Sequence, residues 1–278
     1  MAVQFVLCVT ECKDGAYLKI RHRREGRLVM SLDFIFLGAL LFAGAALYAS
    51  VGQAGATAFI AAMGIVGLPA ATMRPMALAL NILAAAFSTW RFHSAGHIAW
   101  RKLLPLGLTA APCSFVGGAI ALPDSIYKPV VGVFLLIAAA LLFRRVMART
   151  APAASTVRHP STLLIALVGG IIGFLSGLTA TGGGVFLSPL LILLGWMTPK
   201  ETVGLSAPFI LLNSVAGLLG SAALTPQALP PLFPFYAAVT LTGTLLGATL
   251  GMRYLPATQI IMVLGVVLTV SGIKLILP

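Results

Sequence analysis

The feature that most constrains the fold is a glycine-rich run, GFLSGLTATGGGVFLSP at residues 173–189, which lies between two long apolar stretches. Glycine in a helix interior costs about 1 kcal/mol relative to alanine, so three consecutive glycines oppose a continuous helix. Peptide groups without hydrogen-bond partners are costly in lipid and persist only inside protein or beside a water-filled cavity. The run therefore predicts a helix break at membrane depth that lines something polar.

Composition places the flanking stretches in a lipid bilayer. Hydrophobic residues make up 59% of the chain and charged residues 9%, and the mean hydropathy is +1.05. These values are typical of an all-α polytopic membrane protein. The formal net charge of +12 does not indicate nucleic-acid binding, because most basic residues lie between or beside apolar segments, as in cytoplasmic loops.

Apolar windows divide the chain into two similar halves. They lie near 32–50, 57–71, 73–90, 103–122 and 128–147, and then near 161–180, 183–197, 201–222, 231–252 and 256–277. The second window of each half is short and entered through glycine, and the next carries an asparagine, Asn81 or Asn213, at an equivalent position. This pattern predicts two homologous repeats, 30–147 and 161–278, about 130 residues apart.

The relative orientation of the repeats depends on whether the short windows cross the bilayer. If they cross, each half has five crossings and the halves are inverted; if they re-enter, each half has four and the halves are parallel. Five crossings are favoured, because they also place Lys200 and Arg253 on the cytoplasmic side with the linker 148–160. The basic N-terminal stretch opposes them, so we interpret residues 1–29 as a poorly structured, non-native extension and Met30 as the start.

Paired, glycine-broken helices are the pattern with which transporters bind substrates near the midplane. A helix that begins at about Gly184 presents free N–H groups and the positive end of its dipole, which favours an anion. The candidate substrate-binding residues are Gln53, Gly55, Thr57, Arg74, Asn81, Thr181, Gly182, Gly183, Gly184, Ser206 and Asn213. The structural alternatives are close helix packing for the glycines, interhelical bonds for the asparagines and interfacial anchoring for Arg74.

Metal and enzyme chemistry have little support in the sequence. Cys8, Cys12 and Cys113 show no metal spacing beyond one pair, so neither zinc nor a disulfide is expected. His93 and His97 lie in a loop without an apparent third ligand. Because the spans contain no histidine and no interior carboxylate, we expect no catalytic residue, no enzyme activity and no cofactor.

The chain resembles the sulfite exporter TauE/SafE family of bacterial anion transporters. The resemblance covers roughly 31–278 and rests on Gly177, the run Gly182–Gly184, Pro189 and, in the first half, GQAGATAFIAAMGIVGLPAATMRPMALALN. It implies movement of small sulfur-containing anions, such as sulfite or sulfonates, across the inner membrane. The first break departs from the family pattern, since QAGA at 53–56 is less glycine-rich than the runs that relatives often carry.

The sequence leaves mechanism and assembly open. Alternating access is favoured, and the alternative function is an anion channel or a carrier for a non-sulfur small organic anion. Transport is either facilitated export down an anion gradient or coupled to protons that the substrate carries. The spaced glycines Gly243, Gly247 and Gly251 suit packing within one chain or between two, and a homodimer in the lipid bilayer is slightly favoured.

Overall fold

The computed structural model of the protein describes residues 34–50, 52–147, 161–197, 199–224, 229–254 and 257–277. These residues form ten helices and no strand. The first half contains α1 (Phe34–Ser50), α2 (Ala56–Val66), α3 (Ala70–Ser94), α4 (Trp100–Ala119) and α5 (Asp124–Met147). The second half contains α6 (Thr162–Thr179), α7 (Gly184–Leu193), α8 (Pro199–Leu224), α9 (Phe233–Tyr254) and α10 (Ala257–Ile276).

Three of these helices are long and apolar enough to cross a membrane, over Ala70–Ser94, Asp124–Arg144 and Glu201–Ala223. Shorter apolar helices accompany them, among them α1 and α2. The prediction of an all-helical membrane protein is therefore confirmed. The repeat boundaries stay predictions, and the extension 1–29 with Met30 and the linker 148–160 lie outside the described residues.

A break interrupts each half where the sequence predicts one. Between α1 and α2, Gly52 and Gly55 have left-handed φ values of 78° and 108°. Between α6 and α7, Ala180, Gly182 and Gly183 have φ values of 60°, 72° and 77°. Glycine enters this region freely, whereas a residue with a Cβ atom loses roughly 1–2 kcal/mol. The glycines therefore let each half stop one helix and start another inside the bundle.

Helices α3 and α8 lie antiparallel at the centre of the bundle. Of the most apolar 18 residues of each helix, 67% are buried in α3 and 61% in α8, but only 33% in α5. Asn81 of α3 donates a hydrogen bond to Ser214 of α8, while Leu78 packs against Gly217. Residue numbers thus fall along one helix as they rise along the other. The third helix of each half pairs with its counterpart in the other half.

Helices α4 and α6 lie parallel and in close contact. Gly173 of α6 fits against the backbone of Ala110 in α4, and Gly177 fits in the same way against Ser114. A side chain at either glycine would overlap a carbonyl group of α4. Absence of a Cβ atom therefore allows the two backbones to touch, as is common between membrane helices.

Helices α1 and α9 form a second parallel pair. Gly243 of α9 fits against Phe42 of α1, and Gly247 fits against Ala46. This glycine spacing is used within one chain, so it gives no support to a homodimer, which stays a prediction. Each parallel pair joins the first helix of one half to the fourth helix of the other. Inverted repeats would produce this arrangement, although the inversion itself also stays a prediction.

Each short helix has an apolar core of its own. Phe59 and Met63 of α2 belong to a buried cluster with α3 and α5, while Leu187 and Leu191 of α7 belong to another with α4 and α8. A small third cluster that includes Ile210 lies apart from both. The breaks border these clusters, since Ala180 belongs to the first and Ala54 to the third.

Candidate functional site

The two helix breaks meet at Asn81, which is fully buried. Its Oδ1 accepts a hydrogen bond of 3.0 Å from the N–H group of Ala56, the first residue of α2. Its Nδ2 donates a bond of 2.8 Å to the Oγ atom of Ser214. From the other half, Gly182 packs so closely that a Cβ atom there would overlap the Asn81 amide. One side chain therefore contacts both breaks.

The bond from Ala56 to Asn81 replaces a missing helix cap. Residue Gly55 precedes α2 and has no side chain with which to cap it. The first N–H groups of a helix need partners from outside the helix, and buried ones are costly when they lack them. Because α3 supplies the cap, the start of α2 is fixed relative to α3.

The second break is enclosed by apolar and small side chains. A Cβ atom on Gly183 would lie 3.1 Å from Ile172, 3.2 Å from the Cβ atom of Ser176 and 3.3 Å from the ring of Phe209. A Cβ atom on Gly184 would overlap the side chain of Ile210. Glycine, which has no Cβ atom, therefore fits both positions, and a larger residue would have to displace these neighbours.

A chain of polar side chains joins the first break to the second half. Gln53 Nε2 donates to Ser188 Oγ at 3.3 Å, and the hydroxyl groups of Ser188 and Ser206 are 2.8 Å apart. Ser206 in turn donates to the carbonyl of Thr202 at 2.7 Å. The structure therefore brings the predicted residues Gln53 and Ser206 into one network with Ser188.

The two predicted threonines have partners inside the protein. Thr57 hydrogen-bonds to the hydroxyl group of Tyr48, a buried residue that sequence reasoning missed. Thr181 Oγ1 lies 2.9 Å from the Oγ1 atom of Thr179, at the end of α6. Both threonines are buried beside the breaks, and their contact with a substrate stays a prediction.

Arg74 lies about two turns before Asn81 on α3 and faces the end of α4. Its guanidinium group donates 2.8 Å and 3.1 Å hydrogen bonds to the carbonyls of Ile120 and Gly118, and it lies over the ring of Tyr127. A cation is favourable beside the last carbonyls of a helix. The hydroxyl group of Tyr127 donates a hydrogen bond to the main-chain carbonyl of Thr179, next to the second break. Arg74 is thus a buried helix cap, connected to the break through Tyr127.

Asn213 differs from Asn81 in its contacts. It is fully buried, yet neither its Oδ1 nor its Nδ2 atom has a hydrogen-bond partner among the described residues. Its main-chain carbonyl accepts a 2.8 Å bond from the hydroxyl group of Ser114. The buried hydroxyl group of Ser176, which sequence reasoning missed, is also without a partner in this part of the chain. Such groups cost roughly 1–3 kcal/mol each.

The described residues contain no group of three or more histidine, cysteine, aspartate or glutamate side chains that could hold a metal ion. The ring of His93 instead packs edge-on against Trp100, with centroids 5.8 Å apart. Cys113 is a free thiol, while Cys8 and Cys12 lie outside the described residues. The polar groups at the breaks are therefore amides, hydroxyls and backbone N–H groups.

An apolar helical bundle in which two buried helix breaks meet at one amide has the architecture of a membrane transporter. Sequence comparison defines the family more closely. Residues 36–275 match the sulfite exporter TauE/SafE family, and the chain belongs to that family.

A relative from Sinorhizobium fredii is 37% identical over 247 residues, which cover 89% of this chain and 100% of the relative. That protein carries the description "Probable membrane transporter protein y4hK". No solved structure matches the chain at a significant level. The family and the relative together identify the protein as a membrane transporter.

Proposed function

We propose that the protein carries small sulfur-containing oxoanions, of the sulfite or sulfonate class, across the bacterial inner membrane. The observation that carries this proposal is the convergence of both helix breaks on Asn81. Membership of the sulfite exporter family supports the class of substrate. The description of the relative as a probable membrane transporter supports a transport function.

The electrostatics of the breaks favour an anion. Both short helices begin there, α2 at Ala56 and α7 at Gly184, so the positive ends of two helix dipoles lie in one region. Hydroxyl and amide groups of the flanking helices add neutral hydrogen-bond donors. A neutral site with convergent donors binds an oxoanion without fixing a permanent counter-charge in the membrane.

Alternating access requires contacts that close one side of the site at a time, and one such set is present. Lys102 Nζ lies 2.8 Å from Glu201 Oε1, which joins the start of α4 to the start of α8. Close by in the chain, Gly204 packs against the backbone of His97. The loop before α4 is basic and is expected to be cytoplasmic. We infer that this conformation is closed towards the cytoplasm and that transport opens these contacts.

Uptake of labelled sulfite into proteoliposomes tests the proposed function. Wild-type protein should show saturable uptake, with sulfate and taurine as competitors, and Gly183→Leu should abolish it because a side chain there meets Ile172, Ser176 and Phe209. Gly195→Leu is the matched control, since Gly195 also has a left-handed φ of 68° but has open space around it.

The same vesicles separate the alternatives. Folded wild-type protein that transports none of these anions would contradict the sulfur substrate and favour another small organic anion. Counterflow, in which unlabelled sulfite inside the vesicle accelerates entry of labelled sulfite, is expected of a carrier. Uptake without counterflow would indicate a channel instead.

A further inference from the structure

Helices α6 and α8 cross beside the second break. A Cβ atom on Gly217 of α8 would lie 3.4 Å from the Cα atom of Gly177 in α6, which makes this pair the crossing point. Ser176 is the residue before Gly177, and its Cβ atom lies 3.2 Å from the Cβ position of Gly183. Ser176 therefore lies between the crossing and the start of α7.

Asn213 lies on the side of α8 that faces the same region. Residues four apart share one face of a helix, so Phe209, Asn213 and Gly217 form a row. At one end of the row Phe209 contacts Gly183, and at the other end Gly217 contacts Gly177. Asn213 is thus placed between these contacts, one turn before Gly217, while Ser176 directly precedes Gly177 on the neighbouring helix.

Both side chains have hydrogen-bonding capacity that the described protein does not use. Ser176 Oγ, Asn213 Oδ1 and Asn213 Nδ2 are all buried without a partner among the described residues. A serine within a helix commonly bonds a carbonyl one turn earlier, and Ser176 has no such bond. Buried polar groups in native proteins almost always have partners, and these three unused atoms beside one helix break are free to bond a ligand.

We propose that Ser176 and Asn213 form a subsite that binds the oxygen atoms of the transported oxoanion, next to the N-terminus of α7. The asparagine amide supplies two N–H donors and the serine hydroxyl supplies one, which matches an anion with several oxygens. Asn81 differs, because its Oδ1 and Nδ2 atoms already bond Ala56 and Ser214. The subsite rests on the proposed function, and it assigns substrate contact mainly to the second half.

Binding of labelled sulfite to the full-length protein in detergent tests the subsite, with the melting temperature measured on the same samples. Ser176→Ala and Asn213→Leu should each weaken binding roughly 10-fold or more, the effect of losing a hydrogen bond to a charged group. Their melting temperatures should stay at or above that of wild type, since these atoms have no protein partner to lose. A purely structural role would lower the melting temperature and leave affinity unchanged.

Ser271→Ala is the matched control. Ser271 is also a fully buried serine without a partner in the described chain, but it lies on α10, where its neighbour one turn later contacts the far end of α2. This variant should bind sulfite like wild type. Equal weakening in Ser271→Ala would overturn the subsite, because the effect would not depend on position.

The outcomes also separate the subsite from the proposed function. If wild type binds sulfite and both variants bind it equally well, the subsite is wrong and the proposed function stands. If wild type binds neither sulfite nor taurine, the proposed function fails with the subsite, and the failure is visible without any variant. Should Asn213→Leu not fold, Ser176→Ala decides alone, since it removes a single oxygen atom.

Discussion

The two helix breaks hold similar backbone shapes by different means. In the first break, Asn81 caps α2, and Thr57 and Gln53 each have a partner in the protein. In the second break, glycines are packed against apolar side chains, and Asn213 and Ser176 keep unused hydrogen-bonding groups nearby. The two halves therefore have similar helix breaks, but the first half uses its polar groups for structure and the second leaves them available.

A shift of one residue explains why the two asparagines differ. Asn81 follows Pro75 by six positions, whereas Asn213 follows Pro208 by five. Successive residues on a helix differ by about 100° in direction, so this shift turns the second asparagine away from the first. Ser214 takes the position opposite Asn81 instead. Asn81 and Asn213 thus have different contacts, and their equivalence in the two halves stays a prediction.

The largest effect is expected for Gly182→Ala. A Cβ atom there is disfavoured by the left-handed φ and also overlaps the Asn81 amide, so we expect a loss of about 4 kcal/mol in unfolding free energy. Sulfite uptake should disappear. Gly195→Ala also places an alanine at a left-handed φ but causes no overlap, so it should lower the unfolding free energy by only about 1 kcal/mol. Equal losses in denaturant unfolding of the two variants would show that the contact between the breaks is unimportant.

Asn81→Leu compares the asparagines directly. This change removes the partners of Ala56 and Ser214 in a buried site, and we expect it to lower the free energy of unfolding by about 3 kcal/mol. Asn213→Leu should leave it unchanged or raise it, because its amide has no protein partner to lose. Thermal or denaturant unfolding in detergent measures both, and a reversed order would contradict the division of roles.

Arg74→Leu examines the buried cation of α3. The change destabilises the protein because two carbonyls at the end of α4 lose their donors, and it partly compensates by removing a buried charge. We expect a net loss of about 2 kcal/mol in unfolding free energy. KM for sulfite should change less than about threefold if the residue is a helix cap. A large rise in KM with unchanged stability would instead make Arg74 a substrate contact.

Gln53→Ala should have the smallest effect. Its single bond to Ser188 is 3.3 Å long, so its loss should cost about 1 kcal/mol. Ser188 keeps its contact with Ser206, and the second break should remain intact. Transport at saturating sulfite should therefore stay close to wild type. A complete loss of transport would place Gln53 in the substrate site and give the first half a direct role.

Apolar windows and glycine runs predicted the helices and both breaks. Membrane burial requires long apolar segments, and left-handed backbone favours glycine, so both are visible in a sequence. The hydrogen-bond partners of individual polar side chains could not be predicted in this way, because they depend on how the helices pack. Ser176 is a lone serine in an apolar helix, and whether it bonds its own helix or stays free depends on neighbours from α7 and α8. Likewise, Arg74 caps carbonyls of a helix that begins many residues later.

The parallel pairing of α1 with α9 has a consequence for synthesis of the protein. Phe42 and Ala46 present the backbone that Gly243 and Gly247 cover, yet these glycines emerge from the ribosome near the end of translation. Until α9 is synthesised, this face of α1 has no protein partner. Lipid or the insertion machinery must cover it during that time. Truncation after the first half should leave that fragment prone to degradation, whereas co-expression of the second half should rescue it.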